Sequence, residues 1–165
     1  MRIPEVLLPG RKSMNGKYFI DTSIFIRTFD RSDKTRQDKA KEIVSHALDN
    51  LTGITSSQVI HEFLLAATTL FKIPISLADC HKYMTFVLEP LCEVYANIHL
   101  YHQSLEMMER WKFSLVNSMI ISAALKAECN TLYTEDLPHF TKIQNLTIIN
   151  PFLTEHDRHM DYAGR

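Results

Sequence analysis

Two hydrophobic periods alternate along the chain, and they predict short buried strands separated by amphipathic helices. Strands are expected at Lys17–Ile20, Leu51–Thr55, Cys92–Tyr95, Thr131–Thr134 and Leu146–Ile149. Helices are expected at Ser23–Phe29, Lys34–Asn50, Ser57–Leu70, Ser76–Leu91, Asn97–Trp111 and Leu115–Ala127. This alternation predicts an α/β fold, a three-layer α/β/α sandwich with a short, mainly parallel central sheet.

In two of the helices, the distribution of apolar and charged residues predicts how deeply the helix is buried. Lys34–Asn50 carries apolar residues at helical spacing and charges on the other face, so it should cover the sheet with one side in water. Leu115–Ala127 is apolar on nearly every side, and deep burial is expected. Ser23 is the expected N-cap of the first helix.

Composition limits the chain to one domain with a substantial core. It has 165 residues, 45% of them hydrophobic, and a formal net charge of -1. We expect a flexible arm at residues 1–14, with Met14 as an alternative start, a domain at 15–152 and a polar tail at 153–165. Because a global positive field is absent, any contact with nucleic acid must come from a local patch.

Three observations predict a cytoplasmic location. No apolar run is long enough to span a bilayer, and the N-terminus lacks the apolar core of a signal peptide. Cys80, Cys92 and Cys129 are odd in number and widely spaced, which favours buried, reduced thiols.

Asp21 follows the predicted strand Lys17–Ile20 directly, and Asp136 lies two residues beyond the predicted strand Thr131–Thr134. The carboxyl ends of parallel strands share one edge of a sheet, so both side chains should project into the same space. Each acid alone has a simpler interpretation, Asp21 as a helix cap and Asp136 as a turn residue. The coincidence of two acids on one edge favours a site.

Glu62 lies within an apolar-rich helix, flanked by Ile60 and Phe63. A buried carboxylate without a partner is expensive. A salt bridge to a Lys or Arg, or an exposed stripe, would explain it. The sharper alternative is a cation that Glu62 shares with Asp21.

Asn117 occupies the third position of the helix that Ser114 is expected to cap, where an acid is usual. It carries no charge here. Carboxylates that converge on a sheet edge suit Mg²⁺ or Mn²⁺, because hard cations need oxygen ligands. In a chain with 19 acidic residues, spacing alone is weak support for such a site.

Several short motifs, in order, carry a family resemblance. They are Phe19-Ile20-Asp21-Thr22-Ser23, Ser56-Ser57-Gln58-Val59-Ile60-His61-Glu62-Phe63, Ser114-Leu115-Val116-Asn117-Ser118-Met119-Ile120, Leu132-Tyr133-Thr134-Glu135-Asp136-Leu137 and Asn150-Pro151-Phe152. With them the chain resembles the PIN-domain ribonucleases, specifically VapC-like toxins of bacterial toxin–antitoxin pairs. The resemblance runs from about Lys17 to Phe152.

The resemblance implies a metal-dependent endoribonuclease that hydrolyses RNA phosphodiesters with Mg²⁺ or Mn²⁺. It implies Asp21, Glu62 and Asp136 as metal ligands, Ser23 as the residue that steadies Asp21, and Glu135 as a further ligand or a flanking residue. It also implies a homodimer and a cognate antitoxin as partners. The basic residues Arg27, Arg31 and Lys34 indicate where an RNA backbone would run.

Asn117 departs from the family pattern, which usually has Asp as the third acid of the catalytic set. Three interpretations are open: an inactivating Asp→Asn change made to allow production of a toxic nuclease, a natural weak nuclease or pseudo-enzyme, and an enzyme whose remaining acids suffice. The intact neighbouring motifs favour the first. The alternative function is a catalytically silent PIN-like module that binds RNA or a protein.

Overall fold

The computed structural model describes residues 16–153. The predicted arm at 1–14, and all but the first residue of the predicted tail, lie outside this range. Within it the chain forms an α/β fold with a mostly parallel six-stranded sheet between helices, which confirms the predicted fold class. The three cysteines of the described part are free thiols, and two of them, Cys80 and Cys129, are buried.

The sheet has the strand order β3-β2-β1-β4-β6-β5. Its strands are short: β1 Tyr18–Ile20, β2 Gly53–Ser56, β3 Cys92–Val94, β4 Thr131–Tyr133, β5 Lys142–Ile143 and β6 Leu146–Ile149. All neighbouring pairs are parallel except β5 with β6. The sequence did not predict β5, because its two residues are too few to show a period.

Helices fill every long connection between the parallel strands. Their bounds are α1 Thr22–Arg27, α2 Lys34–Asn50, α3 Ser57–Leu65, α4 Leu77–Tyr83, α5 Glu89–Leu91, α6 Ile98–Trp111 and α7 Leu115–Lys126. Two π-helical turns, Ala66–Leu70 and Met84–Leu88, continue α3 and α4. The predicted helix at Lys34–Asn50 is therefore confirmed to the residue.

The topology creates a crevice between β1 and β4. The chain runs from β1 to β2 to β3 in one direction and then returns past β1 to β4. Right-handed crossovers place α1 to α5 on one face of the sheet and α6 with α7 on the other. The strand order thus reverses between β1 and β4, and their carboxyl ends flank the position where open α/β sheets bind ligands.

A cluster of aromatic rings packs α3 and α4 against the chain after α1. The rings of Phe63 on α3 and Tyr83 on α4 stack with centroids 4.8 Å apart, and Phe29 packs on Tyr83 at 5.1 Å. Phe63 is fully buried.

A β-carbon at Gly53 would lie 2.3 Å from the β-carbon of Ala47, so glycine is needed where β2 approaches α2.

The first turn of α7 corrects one expectation. Ser118 to Ala124 are buried as predicted, but Leu115 and Val116 are 42% and 49% exposed. These two residues precede the point at which the helix passes under the sheet, and a uniformly apolar run does not show where burial begins. No helix in residues 16–153 has the length and apolar character needed to cross a membrane.

Candidate active site

Asp21 lies at the carboxyl end of β1 and is 5% exposed. Its Oδ1 accepts a hydrogen bond from the backbone N–H of Thr22 at 2.7 Å, and it is the N-cap of α1. Of the two caps that the sequence offers, the structure therefore has Asp21 and not Ser23. The strand ends one residue before the helix starts, so the acid itself occupies the cap position.

Two hydroxyl groups also hold the Asp21 carboxylate. Thr134, directly after β4, donates to Oδ2 at 2.6 Å, and Ser23 donates to the same oxygen at 3.2 Å. Ser23 therefore contacts Asp21 as the resemblance implies. All three donors to Asp21 are neutral, so they orient the carboxylate without cancelling its charge.

Glu62 reaches the same crevice from α3. Val59 and Phe63 form the buried face of this helix, and Gln58 and Glu62 lie four residues apart on the adjacent, partly buried face. Thr22 Oγ1 donates to Glu62 Oε2 at 2.8 Å, and Gln58 Nε2 donates to Oε1 at 2.6 Å. Thr22 thus links Asp21, through its backbone N–H, to Glu62, through its hydroxyl.

The groups that donate hydrogen bonds to Glu62 are neutral. No Lys or Arg in residues 16–153 forms an ion pair with it. Of the explanations open for this acid, a salt bridge to Lys or Arg within that range is excluded. Glu62 is only half-buried, which lowers the desolvation that the sequence led us to expect.

The segment after β4 brings two more acids to the crevice. The backbone N–H of Glu135 donates to Ser23 Oγ at 3.3 Å, and that of Asp136 donates to Thr134 Oγ1 at 3.1 Å. These contacts place Asp136 beside Asp21, at the exposed rim.

Glu135 faces Arg27 at the end of α1. The Arg27 guanidinium contacts both Glu135 carboxylate oxygens, with Nε–Oε1 2.9 Å and Nη2–Oε2 3.1 Å, and it also pairs with Asp30. Glu135 is thereby a flanking residue in this structure. Internal ion pairs therefore already use the Nε, Nη1 and Nη2 groups of Arg27 that the predicted RNA contact would need.

The electrostatics show that three acids share one environment. Burial raises the pKa of Asp21 to about 6, opposed by the hydrogen bonds from Thr134 and Thr22 and reinforced by the charges of Asp136 and Glu62. Burial, followed by the charges of Glu135 and Glu62, also raises the pKa of Asp136, while Arg27 lowers it. The structure therefore places Asp21, Glu62 and Asp136 near enough for their charges to act on one another.

Asn117 lies at the edge of this cluster. Its backbone N–H donates to Ser114 Oγ at 3.1 Å, as the capping pattern predicts. Gln58, which holds Glu62, also donates to the Val116 carbonyl at 3.4 Å, so the first turn of α7 lies beside α3. Within the described residues the Asn117 side chain makes no hydrogen bond, and Gln58 reaches the first turn of α7 at the neighbouring Val116.

The donor set of the crevice fits a hard divalent cation. Asp21 is buried, carries an elevated pKa and has like charges around it, and a cation would relieve this repulsion. Across residues 16–153, however, no three His, Cys, Asp or Glu side chains lie close enough together to hold an ion directly. Mg²⁺ commonly takes one or two carboxylates and retains several waters, which suits this spacing.

Sequence reasoning missed three residues of the site: Thr22, Gln58 and Thr134. The position of each residue in the sequence nevertheless indicates that it lies near the acids. Thr22 follows Asp21, Gln58 lies one helical turn before Glu62, and Thr134 is the hydroxyl residue at the end of β4. Their roles depend on contacts between distant segments, which a pattern within one segment does not reveal.

Residues 18–144 match the family model described as PIN domain. No protein with a curated description matches the chain. Several solved structures share the fold. A toxin–antitoxin complex from Klebsiella pneumoniae has a TM-score of 0.59 at 16% identity, covering 82% of this chain and 98% of that one.

Two further structures extend the likeness. VapC20 of Mycobacterium tuberculosis, a sarcin–ricin loop cleaving toxin, has a TM-score of 0.53 at 20% identity, covering 73% of this chain and 92% of its own. VapBC2 from Rickettsia felis, bound to a promoter DNA fragment, has a TM-score of 0.53 at 17% identity, with coverages of 79% and 96%. At these identities the likeness establishes the fold.

Proposed function

The chain belongs to the PIN domain family, and from this premise we propose that it is a metal-dependent endoribonuclease acting as the toxin of a toxin–antitoxin pair in the cytoplasm. One observation carries the proposal. Asp21, Glu62 and Asp136 come from three separate elements and meet at the crevice where the strand order reverses, and no Lys or Arg in residues 16–153 forms an ion pair with any of the three.

Asp21, Glu62 and Asp136 would hold Mg²⁺ or Mn²⁺ in part through the ion's own waters, because no three such side chains of residues 16–153 lie within direct reach of one ion. Such an ion, when bound, supplies Lewis-acid polarisation of a phosphodiester and a lower pKa for an attacking water. The protein contributes orientation: Thr22, Ser23 and Thr134 fix the Asp21 carboxylate, and Gln58 fixes Glu62. These contacts set the ligand oxygens before RNA binds, so little reorganisation is needed during the reaction.

The proposed partners are an RNA substrate, a cognate antitoxin and a second copy of the chain. Exposed apolar residues offer surfaces for protein partners, since patches of this kind are often covered. They lie around α3 and α4 and along α6: Leu70, Ile73, Leu77, Phe86, Ile98, Tyr101 and Leu105. The solved relatives named as toxin–antitoxin complexes support an antitoxin partner.

For RNA, the basic residues suggested by the sequence are unequally available. Arg27 is paired with Glu135 and Asp30, and Lys34 is paired with Asp38. Arg31 is exposed and lines a cavity of about 430 Å³ between α2 and α4. We therefore propose Arg31 as the first of the three to contact a phosphate.

Asn117→Asp is the test of the proposed function. The added carboxylate lies in the first turn of α7, where the helix dipole stabilises an anion, and it gives the crevice a fourth acid. We expect RNA cleavage with Mg²⁺ or Mn²⁺ to rise by about 100-fold or more and to be abolished by EDTA. Gel assays of structured RNA measure this, with Asn130→Asp as the matched control.

A catalytically silent module is the second candidate, and the uncharged amide at Asn117 favours it. RNA binding without cleavage by both the original chain and the Asn117→Asp variant would support this alternative. If the Asn117→Asp variant neither cleaves RNA nor binds Mn²⁺, the assignment of the metal site is wrong.

A further inference from the structure

Arg27 holds Glu135 by more than one bond. Nε contacts both carboxylate oxygens, at 2.9 and 3.2 Å, and Nη2 contacts Oε2 at 3.1 Å. The two side chains are about three quarters buried or more, at 25% and 19% exposure. A forked guanidinium–carboxylate pair of this kind fixes orientation as well as distance.

One face of α1 binds both the backbone and the side chain of Glu135. Ser23 and Arg27 are four residues apart and lie on the same side of the helix. Ser23 accepts from the Glu135 backbone N–H, and Arg27 binds the Glu135 carboxylate. Because Ser23 also donates to Asp21, the grip starts from the same residue that orients the first acid.

The consequence concerns which of two adjacent acids enters the crevice. Glu135 and Asp136 are neighbours in sequence and both are carboxylates. With Glu135 drawn towards Arg27, the acids whose charges act on Asp21 are Asp136 and Glu62. Asp30, on the other side of the guanidinium, neutralises part of its charge and steadies it.

We propose that Arg27 is a positioning residue that withdraws Glu135 from the crevice and so presents Asp136 as its acid. The proposal rests on the proposed function for its catalytic consequence, but the grip itself is a property of the metal-free protein. Without Arg27, Glu135 is free to turn into the crevice and the segment after β4 loosens.

The first test needs no metal and no RNA. Hydrogen–deuterium exchange of the Glu135 amide is measured by NMR in the full metal-free chain. We expect Arg27→Gln to speed this exchange about tenfold and Arg27→Lys to speed it less, with core amides unchanged. Arg36→Gln is the control for loss of an Arg charge, because Arg36 pairs with Asp33 through a more exposed contact away from the crevice.

The second test is a double-mutant cycle on Mn²⁺ affinity, measured by calorimetry in the original chain and in the Asn117→Asp variant. Arg27→Gln removes a nearby positive charge and releases a carboxylate, so we expect Mn²⁺ to bind about fivefold more tightly. In the Glu135→Gln background only the direct loss of the Arg27 charge remains, so the same change should tighten Mn²⁺ binding by about twofold at most. A merely structural loss would weaken binding in both backgrounds.

Cleavage should move in the opposite direction from affinity. In the Asn117→Asp variant, Arg27→Gln should lower kcat about tenfold or more, because the bound ion sits among differently placed acids. Unchanged Glu135 exchange in Arg27→Gln, or an equal gain in Mn²⁺ affinity with and without the Glu135 carboxylate, would overturn the proposal. Absence of Mn²⁺ binding and cleavage in every variant would instead refute the proposed function, and the exchange experiment would still decide whether Arg27 grips Glu135.

Discussion

The crevice has two sides that are built differently. The strand side, made of Asp21, Ser23, Thr134 and Asp136, is joined by a continuous series of hydrogen bonds and has Asp21 and Thr134 fully or almost fully buried. The helix side, made of Gln58, Glu62 and Asn117, is half-buried and depends on Gln58 for its internal contacts.

This difference indicates how the site divides its tasks. The strand side belongs to the sheet, since β1 and β4 pair directly and the Asp21 N–H donates to the Tyr133 carbonyl at 3.1 Å. The position of Asp21 therefore follows from the fold itself. Side-chain contacts between separate helices set the helix side, and such contacts change at lower energy than a sheet register.

The largest effect on the site is expected from Asp21→Asn, on the strand side. We expect Mn²⁺ affinity to fall by about 100-fold, because the most buried ligand loses its charge. The metal-free protein should nevertheless become more stable at pH 7, by about 1–2 kcal/mol, since the change removes a buried charge surrounded by like charges.

Calorimetry and urea unfolding measure these two effects. Asp49→Asn, at an exposed end of α2, is the control for a simple charge change. Loss of both stability and metal affinity in Asp21→Asn would show that the carboxylate is needed for structure rather than held against repulsion.

The pH dependence of stability should sharpen the contrast. The folded pKa of Asp21, about 6, exceeds the reference value of 3.8, so the folded state binds this proton more tightly than the unfolded state. The stabilisation that protonated Asp21 gives the folded state is fully present below its pKa in the unfolded state, and it is lost as the pH rises through about 6. The metal-free protein should therefore gain about 2–3 kcal/mol between pH 7 and pH 4 from this group.

Asp136 adds to the same trend, because its pKa is also raised. Urea unfolding across this pH range tests the prediction, and Asp21→Asn should remove most of the slope. A slope that is equally steep in Asp21→Asn would assign the pH dependence to other groups.

A matched pair of substitutions compares the two sides directly, with the smallest expected effects. Thr134→Val removes a buried donor to a carboxylate and should lower the free energy of unfolding by about 2 kcal/mol at pH 7.5. Gln58→Ala removes a donor from half-exposed Glu62, and the expected loss is about 0.5 kcal/mol. Equal losses in thermal or urea unfolding would contradict the proposed inequality of the two sides.

The sequence predicted the fold well because the fold depends on local periodicity. The alternation of apolar strands and amphipathic helices is sufficient to imply the parallel sheet, and Asp21 and Asp136 lie one and three residues beyond the ends of β1 and β4. Their placement on one edge of the sheet then follows from topology alone. The helix that contains Glu62 was likewise visible in its apolar spacing.

The contacts between segments were not predictable in the same way. Nothing near Arg27 in sequence points to Glu135, and nothing near Gln58 points to the first turn of α7. The cap at Asp21 instead of Ser23 depends on a one-residue difference in where the strand ends. Boundaries and long-range side-chain pairs are decided by packing, which a single segment does not encode.

Thr22 gives the crevice a property that its acids lack individually. One residue donates its N–H to Asp21 and its hydroxyl to Glu62, and the second bond depends on a single rotatable torsion. That torsion controls the hydrogen bond from Thr22, at the start of α1, to Glu62 on α3. A rotation of the Thr22 side chain would leave Asp21 in place and Glu62 held by Gln58 alone, so the spacing of the two carboxylates is adjustable without moving the backbone.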